Sequence, residues 1–248
     1  MDVAKVLSIF AVGAICGPFS ILVGGGAIIT IPTLILLGLP PHVAIATNRL
    51  GATGFFVAGS YQFNRKKMIN HKIALTVGIP ALFGSVLGAH LVLQINEAVL
   101  KKVIALLTIV ILLFIMARPQ MGIEKSKQTV KHHVYVIGAA IGFFLGTYQA
   151  FYGAAVGTFV SYVLILLFGL TFLESAATRQ LVNLLPSMTA LIIFAANGVI
   201  NYPLGIALFV GSATGSYFGV RYSTRIGNVW IRRLFLAVVI LMAVKLLM

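Results

Sequence analysis

The sequence predicts an all-α polytopic membrane protein of two inverted repeats, each a broken or re-entrant helical hairpin followed by three transmembrane helices. Three observations lead there. The 248 residues are 60% hydrophobic and only 9% charged, with a mean hydropathy of +1.08, whereas soluble domains carry about 25% charged residues. Apolar runs fill most of the chain, and at about 20 residues per bilayer crossing they leave no room for a soluble catalytic domain. Finally, the chain matches itself without gaps at a shift of 131 residues. GLPPHVAIATNRL (38–50) lies on GLTFLESAATRQL (169–181), Met68-Ile69-Asn70-His71 on Val199-Ile200-Asn201-Tyr202, and Gly84, Ser85 and Gly88 on Gly215, Ser216 and Gly219.

The repeat divides one membrane domain into a first unit, 1–117, a cytoplasmic linker, 118–131, and a second unit, 132–248. The linker is the most polar stretch, with Arg118, Glu124, Lys125, Lys127 and Lys131. Residues 3–37 are nearly all apolar, but a single helix over them would run about 52 Å against a hydrocarbon core of about 30 Å. Cys16-Gly17-Pro18 and Gly24-Gly25-Gly26 supply the break, giving helices over 3–16 and 21–37 in a hairpin that either re-enters or crosses. The same residues lead directly into a second apolar run, so the first helix reads as mature structure rather than a cleaved signal. Helices follow over 43–63, 72–93 and 98–117. The second unit repeats them over 134–147, 152–168, 174–196, 203–222 and 229–248. Cys16 aligns with Thr147, which assigns both to small break-point positions. The glycines around Gly84, Gly88, Gly215 and Gly219 have the spacing of close helix packing.

Positive charge orients the halves. With a hairpin plus three spans per half, both termini lie outside. Of the 16 Lys and Arg residues in loops and at helix ends, 12 then fall inside and only Lys5, Lys101, Lys102 and Lys245 outside. Treating each hairpin as one long span makes the repeats parallel and weakens the split to 10 against 6. The expected location is the inner membrane. The net charge of +14, from 18 Lys and Arg against 4 Asp and Glu, therefore reads first as membrane anchoring and second as a hint of anionic cargo. No soluble basic face exists for nucleic acid. Cys16 is the only cysteine, which excludes internal disulfides and Cys-based metal clusters. No cofactor or metal is expected, and the scattered acids and histidines supply no catalytic constellation.

Inverted repeats with interrupted helices are a recurring architecture of secondary transporters, with the ligand near the repeat interface. Two cations lie inside predicted spans, Arg49 and Arg179, at repeat positions one residue apart. A charged side chain in hydrocarbon costs from about 2.5 to more than about 10 kcal/mol and is kept mainly for pairing or function. Only Glu174 lies near either arginine in sequence. The planar guanidinium fork suits an oxyanion; the competing reading is that each arginine snorkels to a nearby surface. Gly24, Gly25 and Gly26, with Gly157 in the second half, stand where helix N-termini can present N–H donors to an anion or where helices merely pack closely. Asn48, Asn183, Gln149 and Tyr152 complete the candidate binding set. His42 and Glu174 are the candidates for ion coupling.

These residues resemble the TauE/SafE family of sulfite and organosulfonate permeases over essentially the whole chain. The resemblance is carried by GGGAIITIPTLILLGLPPHVAIATNRL, by GTYQAFYGAAVGTF (146–159) and by TRQLVNLLPS (178–187) followed by GVINYPLG. Relatives have an Ala-Thr-Asn-basic motif, matched by Asn48 and Arg49, and a basic-x-x-x-Asn motif, matched by Arg179 and Asn183. Their second-half loop is typically richer in glycine and often acidic; here Gln149, Ala150, Ala154 and Ala155 stand there. The resemblance implies a multi-pass transporter of sulfite or organosulfonates, its anion bound between the repeats. The lipid bilayer is its surroundings and a second copy of the chain is a compatible partner. An anion channel of the same architecture, and a transporter of another small oxyanion or carboxylate, are the alternatives, with a membrane-embedded enzyme ranked behind them.

Overall fold

The computed structural model describes residues 3–104, 106–107 and 132–222, and every regular element among them is a helix. The linker and the helix expected over 229–248 lie outside the described residues, as do the chain termini.

The first unit contains α1 (Val3–Val23), α2 (Ala27–Leu36), α3 (Pro41–Arg65) and α4 (His71–Gln94), with α5 described over residues 97–104. The second contains α6 (His132–Phe151), α7 (Val156–Phe168), α8 (Phe172–Ala196) and α9 (Tyr202–Tyr222). Stretches within α4, α6, α8 and α9 are long and apolar enough to cross a membrane. The chain is thus a polytopic membrane protein, all-helical in its regular elements over the described residues. The 10-residue α2 and 13-residue α7 rise only about 15 and 20 Å, too little to cross a core of about 30 Å alone.

The first break is displaced from its expected place. α1 passes through Cys16, Gly17 and Pro18 and ends at Val23. A proline inside a helix forfeits one ladder bond, which is tolerable when neighbouring helices hold the segment. Here α9 does so: a Cβ on Gly17 would sit 2.6 Å from the Ser216 backbone nitrogen, so the backbones touch. The chain turns instead at Gly24, whose φ of +83° is left-handed and whose N–H closes on the Ser20 carbonyl at 2.9 Å. Thr147 likewise lies inside α6, four residues before its end, and the second turn is made by Gly153 (φ +74°) and Ala155 (φ +55°). Neither Cys16 nor Thr147 is a break-point residue.

Helices α3 and α8 pack against each other in the middle. α9 packs on α1 and α3, and α6 packs on α4, which also contacts α8. The α1–α9 and α4–α6 seams are lined by small residues. A Cβ on Gly84 would lie 1.9 Å from the Phe143 carbonyl oxygen, and one on Gly215 2.1 Å from that of Ala14. Without a hydrophobic drive between helices in lipid, such close backbone approach supplies the packing energy. Left-handed residues recur 131 positions apart: Gly24 with Ala155, Gly38 with Gly169, and Lys67 with Gly198.

Candidate functional site

The two arginines reach the site from the central helices. Arg49 projects from α3 and Arg179 from α8, and they are only 2% and 1% exposed. Both turn inward, which snorkelling does not produce. Arg49 Nη2 donates to the carbonyl of Gln149, one of the last four of α6, which have no partner within their own helix. Arg179 Nη2 donates to the carbonyls of Ile21 and, at 3.3 Å, Ser20 near the end of α1. Each guanidinium therefore caps the C-terminus of the other half's first helix, where the negative end of the helix dipole favours a cation. Arg179 is engaged further, with Nη1 donating to Ser161 Oγ at 2.6 Å and to the Gly157 carbonyl at 3.5 Å.

Both arginines line one cavity. α3 contributes Asn48, Arg49, Ala52, Phe55 and Phe56, and α8 contributes Arg179, Gln180 and Asn183. The two turns supply Ser20, Gly24, Gly26 and Ala27 on one side and Gly153, Val156 and Gly157 on the other. The N-terminal ends of α2 and α7 thus border the same space as the guanidiniums. They approach so closely that a Cβ on Gly24 would lie 2.5 Å from the Gly157 carbonyl carbon. Glycine is required there by contact, and at Gly24 by φ as well.

No acidic side chain among the described residues lines the cavity. Buried charges ordinarily carry a counter-charge and satisfied hydrogen bonds, and this wall lacks the counter-charge. Hydrogen bonding is also incomplete. Asn48 Nδ2, Arg49 Nε, Gln180 Oε1 and Asn183 Oδ1 are buried without a partner, and all four residues line the cavity. The other buried orphans among the described residues are the hydroxyls of Ser60 and Ser216. The cavity volume is ≈ 20 Å³, where a single water needs about 10–15 Å³. Its walls are drawn in around the polar groups, and an oxyanion requires them to part.

The remaining candidates from the sequence fall in different places. Gln149 braces the site from behind: its carbonyl takes Arg49 and its Nε2 donates to the Asn183 carbonyl at 2.8 Å. Gly25 and Tyr152 are buried but do not line the cavity. His42 sits 3.2 Å from Glu97 in an ion-pair geometry. Glu174 closes the capping box at the start of α8, accepting from the Thr171 N–H at 3.0 Å. Neither coupling candidate lines the cavity. Gln180 was not foreseen, although it is the repeat counterpart of Arg49. Ser161, the counterpart of Thr30, also went unnoticed. Thr30 donates to Asn48 just as Ser161 accepts from Arg179, the counterpart of Asn48.

Residues 9–246 match the family described as Sulfite exporter TauE/SafE. A probable membrane transporter protein of Haemophilus influenzae is 30% identical over 237 residues, covering 96% of this chain and 92% of that protein. The probable membrane transporter protein YfcA of Escherichia coli K12 is 29% identical, covering 96% of this chain and 88% of its own. YdhB of Bacillus subtilis, also described as a probable membrane transporter protein, is 28% identical over 88% of this chain and 89% of its own. No solved structure matches the chain. The helical architecture and the match over nearly the whole length lead to one conclusion: this chain belongs to the TauE/SafE family of membrane transport proteins.

Proposed function

We propose that the protein is a secondary transporter moving small sulfur-containing anions, sulfite or organosulfonates, across the cytoplasmic membrane by alternating access. The observation that carries this reading is the pair of buried guanidiniums on contacting helices, Arg49 and Arg179, facing one cavity that no carboxylate of the described residues lines. An oxyanion placed there supplies the missing counter-charge and accepts charge-assisted hydrogen bonds from Arg49 and Asn48. The ends of α2 and α7, through Gly24, Gly26 and Gly157, add positive helix-dipole character. The sulfur class of the cargo comes from the family description; the sign of its charge comes from the site. The two units are read as inverted repeats with both termini outside the cytoplasm, and the exchanged contacts between them support that arrangement. His42 and Glu174 are the titratable candidates for ion coupling, acting from outside the cavity wall.

The test is a binding and transport pair on purified protein. Sulfite, thiosulfate, sulfate, sulfoacetate and taurine are screened by thermal shift, since a ligand that binds only the folded state raises the midpoint by mass action. The best binder is then loaded into proteoliposomes. Saturable counterflow of labelled anion is the expected result. Unsaturable flux with no counterflow identifies an anion channel instead, and a midpoint unmoved by every anion removes the anion site.

A further inference from the structure

The unpartnered groups on the residues that line the cavity are not alike, and the difference divides by half. The first unit leaves donors: Arg49 Nε and Asn48 Nδ2, adjacent on α3. The second leaves acceptors: Gln180 Oε1 and Asn183 Oδ1, one turn apart on α8. Gln180 is 1% exposed, and its amide orientation is set locally, because Nε2 donates to the Ala176 carbonyl at 3.2 Å. A flipped amide would set two oxygens against each other there, so the end left over is the acceptor. The repeat thus places a guanidinium at one position and an amide with a spare oxygen at its counterpart.

A fully deprotonated oxyanion offers acceptors only. It matches the α3 side and leaves the α8 oxygens buried and unsatisfied, with their own partial negative charge turned on the anion. A site built to hydrogen-bond a ligand N–H or O–H rejects the analogue lacking it, because its own polar groups are then stranded. Resting on the anion-site reading above, we infer that the cargo is a monoanion carrying a hydrogen-bond donor, its oxyanion end held by Arg49 and Asn48 and its N–H or O–H read by Gln180 and Asn183. A protonated oxyanion, or a sulfonate bearing an amino or hydroxyl group beside the sulfur, has this chemistry. Gln180 is the specificity residue, choosing among anions that Arg49 alone accepts.

Sulfamate and methanesulfonate test this directly, being monoanions of nearly one shape that differ in an NH₂ for a CH₃. Affinities are measured by titration of the full-length protein in detergent. The native chain should bind sulfamate at least about tenfold more tightly, the size of one well-made buried hydrogen bond. In Gln180→Met, sulfamate should weaken and methanesulfonate tighten, so that the preference shrinks to the part Asn183 supplies. Gln180→Leu serves if the Met variant does not fold. Equal binding of both anions by the native chain overturns the inference and leaves the anion site standing. A preference undiminished in the Gln180 variants also overturns it, since the donor is then not read by Gln180. Binding of neither anion overturns the inference, and it removes the anion site as well only where every anion of the thermal-shift screen also fails to bind.

Discussion

Thr47 Oγ1 accepts a hydrogen bond from the backbone N–H of Asn201 at 2.9 Å. The same contact recurs with the halves exchanged, from the Asn70 N–H to Thr178 Oγ1 at 3.1 Å. Asn70 and Asn201 each then cap the following helix, accepting from Ile73 and Leu204, both at 3.2 Å. The threonines stand one and two residues before the arginines, on the helices that carry them. Each joint therefore ties a helix bearing the site to the start of a helix in the other half.

Removing either hydroxyl strands a partly buried N–H, which costs about 1–3 kcal/mol. Thr47→Val and Thr178→Val should each lower the unfolding midpoint in detergent, while Thr47→Ser and Thr178→Ser hold it close to native. If the Val variants melt like the native chain, these contacts do not secure the halves.

Much of the helical layout was legible because it depends on apolar length, which the bilayer enforces: α3, α4, α8 and α9 lie within about two residues of their expected bounds. The break was read at Cys16-Gly17-Pro18 as well as at the glycines, and only the glycines turn the chain, because sequence shows the proline's missing donor but not the neighbour that compensates for it. In the site, Arg49, Arg179, Asn48 and Asn183 stood out because charge and amide in hydrocarbon are costly. The attachment of the two arginines to helix C-termini was invisible, since it pairs a side chain with backbone from the other half. Gln180 was readable in principle, as the counterpart of Arg49, yet a lone glutamine on an apolar helix carries little signal.

Ala155 is the one left-handed residue of the two turns that is not glycine. A Cβ in that conformation costs about 1–2 kcal/mol, and glycine's greater unfolded-state freedom returns about 0.4–1 kcal/mol of that. Ala155→Gly should raise the unfolding midpoint slightly, and Ala155→Val should lower it sharply. A midpoint that falls in the glycine variant means the alanine methyl packs better than its strain costs.

Gly153 guards the seat of Arg49. A Cβ there would lie 2.7 Å from the Gln149 oxygen and 2.9 Å from Arg49 Nη2, so Gly153→Ala pushes the guanidinium off its carbonyl while keeping its charge. Anion affinity should fall by about tenfold or more. Native affinity in this variant shows that the α6 cap does not position Arg49.

The inverted arrangement is checked from the ends. With both termini outside, a periplasmic reporter fused after Met248 should be active and a cytoplasmic one silent, and loop 64–72 should give the reverse. Matching results at both sites contradict a hairpin plus three spans in each half.

The arginines themselves should fail differently. Arg179 donates to two carbonyls of α1, the Gly157 carbonyl and Ser161 Oγ, so its guanidinium is largely committed to the protein. Arg49 holds one carbonyl and keeps Nε unpartnered, so it has bonding capacity left for a ligand. A charge-assisted bond to an anion is worth about 1.5–3 kcal/mol, and 1.4 kcal/mol is one decade in affinity. Arg49→Gln should therefore weaken anion binding by at least about tenfold with a modest loss of stability. Arg179→Gln uncaps α1 and should cost stability first, reducing affinity mainly by removing positive charge from the wall. Lysine should restore part of the affinity at position 49, where charge survives and the fork is lost, but little stability at position 179, where several acceptors must be met at once. Titration and thermal unfolding of Arg49→Gln, Arg49→Lys, Arg179→Gln and Arg179→Lys separate the two roles. Unchanged affinity in both glutamine variants rules out an anion held by these arginines, and equal effects at both positions restore a symmetric pair.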